Sequence, residues 1–119
     1  EGEAKQGIAN ILRRLKHSNL KRANQVDQIM AHIAGTPYPI IICGDFNDTP
    51  FSYTYNELGS GLQDSFMERG NGFGVTYNGP IPALRIDYIL ADPKFSVLSH
   101  EVIAKGPSDH YPVISKVSF

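Results

Sequence analysis

The sequence predicts an α/β or α+β half-sheet with a long helix on one face. Three observations carry this. Apolar residues recur at helical spacing from about residue 4 to 34. The run Ile40-Ile41-Ile42-Cys43 ends abruptly in Gly44-Asp45. Several β-prone stretches then follow between residues 75 and 119, joined by short turns. The chain has no internal repeat and no low-complexity linker, so its 119 residues read as one domain or part of one. With 41% hydrophobic and 19% charged residues it can bury a core.

In the helical stretch, Ile8, Ile11, Leu12, Leu15, Ala23, Val26, Ile29, Met30 and Ile33 form one stripe at spacings of three and four. Gly35 and Pro37 stop it. Ser18 and Asn19 compete for backbone hydrogen bonds, so the stripe is compatible with one long helix or two shorter ones. The polar face holds Arg13, Arg14, Lys16, Lys21 and Arg22, five of the eleven Lys and Arg. Such a face is either simply solvated or an electrostatic guide for phosphate backbones or lipid headgroups.

The run at 40–43 is too short for a helix and reads as a strand buried on both faces, with Cys43 as a small buried hydrophobe. Phe51 to Leu58 fits a short helix with Pro50 at or near its first position. Leu62 to Glu68 adds a helical turn or two before the glycine-rich loop Arg69 to Gly74, which lacks both G-x-G-x-x-G and the P-loop pattern. Val75 to Asn78 and Arg85 to Ala91 are strand-like. Phe95 to Ala104 alternates poorly and Tyr111 to Phe119 alternates better, which predicts two further strands.

The net charge of -1 and pI near 6.5 exclude bulk attraction to nucleic acid or anionic membrane. No stretch approaches the roughly 18 apolar residues of a membrane span, and no secretory signal is present. One cysteine cannot form an internal disulfide, and with scattered histidines it gives no zinc spacing. Counted from Asp45, a calcium loop would need glycine where Pro50 stands and glutamate where Asn56 stands. Ser108-Asp109-His110 holds the letters of a serine triad without a nucleophile elbow.

Three stretches carry acids: Asp45 with Asn47 where an apolar run ends, Asp87 inside a strand-like run, and Asp109 with His110 just before another. In extended geometry Asp45 and Asn47 would share a side, presenting an acceptor and an amide suited to orient water and take its proton. Asp109 suits a hard divalent cation, which takes oxygen ligands and keeps several waters. His110 could stabilise a phosphoryl group while Asp87 holds its other ring nitrogen. Each acid also has a plainer use, in a turn or an ion pair. Arg85 either pairs with Asp87 or contributes to phosphate binding. His17, His32 and His100 read as surface residues.

Gly44-Asp45-Phe46-Asn47, Arg85-Ile86-Asp87-Tyr88-Ile89 and Ser108-Asp109-His110-Tyr111-Pro112-Val113, in this order, resemble the endonuclease/exonuclease/phosphatase superfamily, the deoxyribonuclease-I-like fold. The resemblance spans residues from about Tyr38 to Phe119. It implies a partial domain over 1–119, helical at 4–34 and strand-rich at 38–119. This would be the C-terminal half of a four-layer α/β sandwich, with one mostly antiparallel sheet and the long helix on its face.

The resemblance gives Asp45 the role of general base or water-orienting acid and Asn47 that of its partner. Asp109, with Asp45, looks like a metal ligand, His110 like the residue bonded to the scissile phosphate, and Asp87 like its orienter. The implied reaction is hydrolysis of a phosphate ester by water, assisted by Mg2+ or Mn2+ without a covalent intermediate. The substrate would be a nucleic acid, a small phosphoester or a lipid. The alternative is a non-catalytic binding module that keeps the fold.

The family's full domain is about twice as long, and its amino-terminal half supplies an asparagine and the main metal-binding glutamate. Glu1 and Glu3 do not take that role. The chain alone is therefore expected to bind Mg2+ weakly, to hydrolyse little or nothing, and to self-associate through the surface that would meet the other half. Similar stretches in bacterial proteins favour a membrane-anchored parent.

Overall fold

A computed structural model describes residues 2–119; Glu1 and the side chain of Leu15 lie outside the described residues. The chain divides into two units, Glu1–Gly35 and Thr36–Phe119.

The first unit is α1, Gly2–Ala34, one uninterrupted helix of 33 residues. Ser18 does not break it. Its hydroxyl accepts from Arg22 Nη2 at 3.3 Å, one turn on, instead of competing for the backbone. Glu3 in the first turn and His32 in the last complement the helix dipole. Ile8, Ile11, Leu12 and Leu20 are exposed. No helix among the described residues is long and apolar enough to cross a membrane.

The second unit holds β1 (Ile41–Asp45), α2 (Tyr53–Leu58), β2 (Gln63–Asp64), α3 (Ser65–Arg69), β3 (Asp87–Ala91), β4 (Ser96–Val102) and β5 (Val113–Ser118). Every pairing is antiparallel, in two ladders: β1-β3-β2, and the hairpin β4-β5. Val75 to Asn78 supplies a single bridge, Tyr77 to His110, in place of a full strand. A register shift between Val97 and Ser99 explains why β4 alternates poorly in sequence: the bulge breaks the period of two and leaves Leu98 exposed.

The expectation that β1 is buried on both faces is wrong. The strand pairs only with β3, so it is a ladder edge, and Ile41 and Cys43 are exposed. The core lies instead around β3, where Ile86, Tyr88, Leu90 and Ala91 are buried with Phe46, Leu58 and Val97.

Pro50 also sits outside its expected position. Ser52 caps α2 by accepting from the Tyr55 N–H at 3.1 Å, which places the first helical residue at Tyr53. The glycine-rich loop after α3 is a packing device. A side chain at Gly70 or Gly74 would collide with the Phe66 ring, and Gly74 has φ 67°, so only glycine lets the loop lie on that ring.

Candidate active site

Asp45 ends β1 and Asp87 begins β3, and the two are direct partners in the ladder. Like charges in facing positions repel, and a third element relieves this. His110 precedes β5, and its Nδ1 lies 2.9 Å from Asp87 Oδ2 and 3.1 Å from Oδ1. Its Nε2 lies 3.5 Å from Asp45 Oδ2. The hydrogen bond to Asp87 raises the His110 pKa; desolvation opposes it, and the charges of Asp87, Asp45 and Asp109 add to the rise. The carboxylates thus favour the charged form more than water does, with Nδ1 facing Asp87 and Nε2 facing Asp45.

Local structure holds these groups in register. Thr76 is buried, and its hydroxyl accepts from the N–H groups of Ile86 at 3.0 Å and Asp87 at 3.1 Å. The Thr76 carbonyl accepts from the Tyr111 N–H at 2.8 Å, so one residue ties Asp87's backbone to that of His110's neighbour. The Tyr77 ring lies edge-on to the imidazole, with centroids 6.0 Å apart. A cleft of about 270 Å³ opens between Asp45, Asp87, Tyr111 and Val113. A larger hollow of about 510 Å³ lies between Asn71, Phe73, Glu101 and Tyr111.

Asn47 is exposed beside Asp45, but the shared side expected of an extended chain does not occur. Asn47 has φ 52°, a left-handed conformation that asparagine tolerates, and its N–H donates to Asp45 Oδ1 at 2.8 Å. The two stand together through a turn.

Asp109 is exposed and lies outside the group formed by Asp45, Asp87 and His110, whose ligand atoms all lie within 4.8 Å of one another. Its carboxylate is close enough to favour the charged imidazole, and its carbonyl accepts from the Asn78 N–H at 2.6 Å. For a hard divalent cation the donor set fits in part. Both Asp87 oxygens are engaged by His110, which leaves Asp45 and the exposed Asp109 as oxygen donors.

Arg85 pairs with Asp64 and not with Asp87. It is buried, with Nη1 2.7 Å from Asp64 Oδ2, and its guanidinium lies over the rings of Phe66 and Tyr88 at 4.6 and 4.9 Å. Asp64, absent from the sequence reading, is a hub. Oδ1 caps α3 at the Phe66 N–H, and Oδ2 also accepts from the Tyr55 hydroxyl at 2.8 Å. The only signal for it was an acid just ahead of a short helix. His100 is likewise buried and not a surface residue, with Nδ1 2.6 Å from Ser65 Oγ. Burial lowers its pKa.

Comparison with known proteins identifies the family of the chain. The chain belongs to the Endonuclease/Exonuclease/phosphatase family, whose sequence profile matches residues 12–110. Among solved structures it is similar to a mannosyl-6-phosphatase of Bacteroides thetaiotaomicron, at 26% identity and TM-score 0.68, covering 87% of this chain and 47% of that one. It is also similar to a family protein of Bacteroides vulgatus, at 26% identity and TM-score 0.70, covering 82% and 43%. A functionally unknown conserved protein of Enterococcus faecalis shares the fold at 21% identity and TM-score 0.73. The chain thus spans about half the length of these structures. No curated protein matches it.

Proposed function

We propose that this chain is the C-terminal half of a metal-dependent phosphoric ester hydrolase. The observation that carries this is the cluster of Asp45, Asp87 and His110, assembled from three separate stretches. Asp45 accepts the proton of the attacking water, and the Asn47 amide orients that water. His110, held at Nδ1 by Asp87, directs its Nε2–H at a phosphoryl oxygen and balances the charge that builds there. The 3.5 Å between Nε2 and Asp45 Oδ2 is longer than a good hydrogen bond, which leaves that proton available to a substrate oxygen.

A divalent cation, Mg2+ or Mn2+, would be held by Asp45 and Asp109 together with groups from the other half of the domain. It would supply charge neutralisation at the phosphate. The engagement of His110 by Asp87 favours this reading over a non-catalytic binding module, which would need no such orientation.

The substrate is a small phosphoester, such as a sugar phosphate, in preference to a nucleic acid or lipid. In the second unit Arg85 is buried against Asp64 and so does not track a polyanion. The hollow beside Asn71, Phe73 and Glu101 offers ring and polar contacts for a compact leaving group. The mannosyl-6-phosphatase named above has the same character. In the full-length protein, Asp45→Ala should lower hydrolysis of sugar phosphates by at least about 100-fold while leaving the fold intact. Retained turnover would remove Asp45 from the mechanism.

A further inference from the structure

The two arms of the site share a buried support. Tyr88 follows Asp87 on β3 and is only 2% exposed. Its hydroxyl lies 2.7 Å from the carbonyl of Asp48, next to Asn47, and 2.6 Å from the carbonyl of Arg85, two residues before Asp87. One phenolic proton shared between two carbonyls thus links the loop bearing Asn47 to the backbone leading into Asp87.

We propose that Tyr88 is a positioning residue: its hydroxyl fixes the Asp45–Asp48 turn, and with it Asn47, relative to the Asp87–His110 pair. The proposal rests on the reading of Asp45 and Asn47 as the water-orienting groups.

Asn47 is anchored on both sides. Its own N–H is held by Asp45 Oδ1, and the next carbonyl in the chain is held by Tyr88. A left-handed residue fixed at both neighbours keeps its amide in one place; released at one, it can relax to a commoner conformation. Tyr88 itself cannot shift. Its ring packs against Phe46 at 4.7 Å and Tyr55 at 5.0 Å, and the guanidinium of Arg85 covers it. Burial pushes the phenol well above its ordinary pKa, so it stays a donor across the neutral and alkaline range.

The test uses the full-length protein and sugar phosphate hydrolysis. Tyr88→Phe removes one hydroxyl and should lower kcat about 10-fold with KM within about twofold, as a misplaced catalytic group does. Ser115→Ala is the control. It removes a bond of the same kind, from Ser115 Oγ to the Ser99 carbonyl at 2.8 Å, inside the β4-β5 hairpin, and should leave kcat unchanged at a similar thermal midpoint. p-Aminophenylalanine at position 88 restores a weaker donor on the same ring and should bring kcat back to about two- to fivefold below wild type. If Tyr88→Phe is too unstable to assay, this weaker donor decides alone: a kcat about two- to fivefold below wild type supports positioning, and wild-type kcat overturns it. A Tyr88→Phe kcat equal to that of Ser115→Ala, with Asp45→Ala inactive in the same assay, overturns the inference alone. An active Asp45→Ala overturns the reading of the site, and the inference with it.

Discussion

His110 Nδ1 lies 2.9 Å from Asp87 Oδ2, joining residues 23 apart in the chain. The contact fixes the tautomer and plane of the ring and favours its charged form. Asp87→Asn keeps the size of the side chain and removes its charge. In the full-length protein it should lower kcat about 10- to 100-fold. It should also move the His110 titration, followed by NMR, back towards the ordinary histidine value. An unchanged titration would show that Asp87 does not hold the ring.

Arg85 supplies a second, opposite outcome. A phosphate-binding arginine would reveal itself through KM. Arg85 is instead the buried partner of Asp64, and Arg85→Ala leaves that carboxylate without its charge partner inside the core. Removing one member of such a pair costs about 3–5 kcal/mol, so urea denaturation should show a large loss of stability. Whatever folded protein remains should keep its KM. A raised KM at unchanged stability would return Arg85 to the substrate site.

The sequence disclosed the convergence of Asp45, Asp87 and His110 because each ends or begins a strand, and antiparallel pairing brings such ends together. It disclosed the long helix because the stripe of Ile8, Ile11 and Leu12 is periodic. What it hid is tertiary. Arg85 and Asp87 stand two apart and look like a pair, yet Arg85's charge is satisfied by Asp64, a residue 21 positions earlier, and nothing local announces that. Only Glu101 adjoins His100 in the sequence, and nothing in that spacing announces its burial against Ser65. Cys43 sits in an apolar run that periodicity assigns to a core, whereas exposure depends on which strands flank it.

His100 gives a pH dependence. Its folded pKa is lowered by burial, so the unfolded chain binds the proton more readily. The stability it contributes is present above the ordinary value of 6.5 and is lost as pH falls through the lowered folded value. His110, with a raised pKa, works in the opposite sense. The two are separated by comparing wild type with His100→Asn, whose amide can still meet Ser65. Between pH 7 and pH 5 the wild-type thermal midpoint should fall further than that of the variant. Parallel curves would remove His100 as the cause.

Metal affinity follows from the donor count. Two exposed carboxylates, Asp45 and Asp109, are a weak site for a cation that demands near-octahedral oxygen ligands. The 119-residue chain should therefore bind Mg2+ with a dissociation constant of about a millimolar or weaker. It should also show little sugar phosphate hydrolysis at saturating Mg2+. Calorimetry giving micromolar affinity would mean that these residues complete the site unaided.

The exposed edge bears on assembly. Ile41 and Cys43 on β1 and Ile114 on β5 present apolar groups to solvent, and β1 has one unpaired side on which another strand can add. In the 119-residue chain this surface should drive self-association, seen as a sedimentation coefficient that rises with concentration. Cys43 reports on the same surface: a thiol reagent should label it readily in dilute solution and more slowly as association covers β1. Ile41→Lys, which places a charge on that edge, should suppress association and keep labelling fast at every concentration. A monomeric wild-type chain whose Cys43 labels at one rate throughout would show that this edge does not seek a partner.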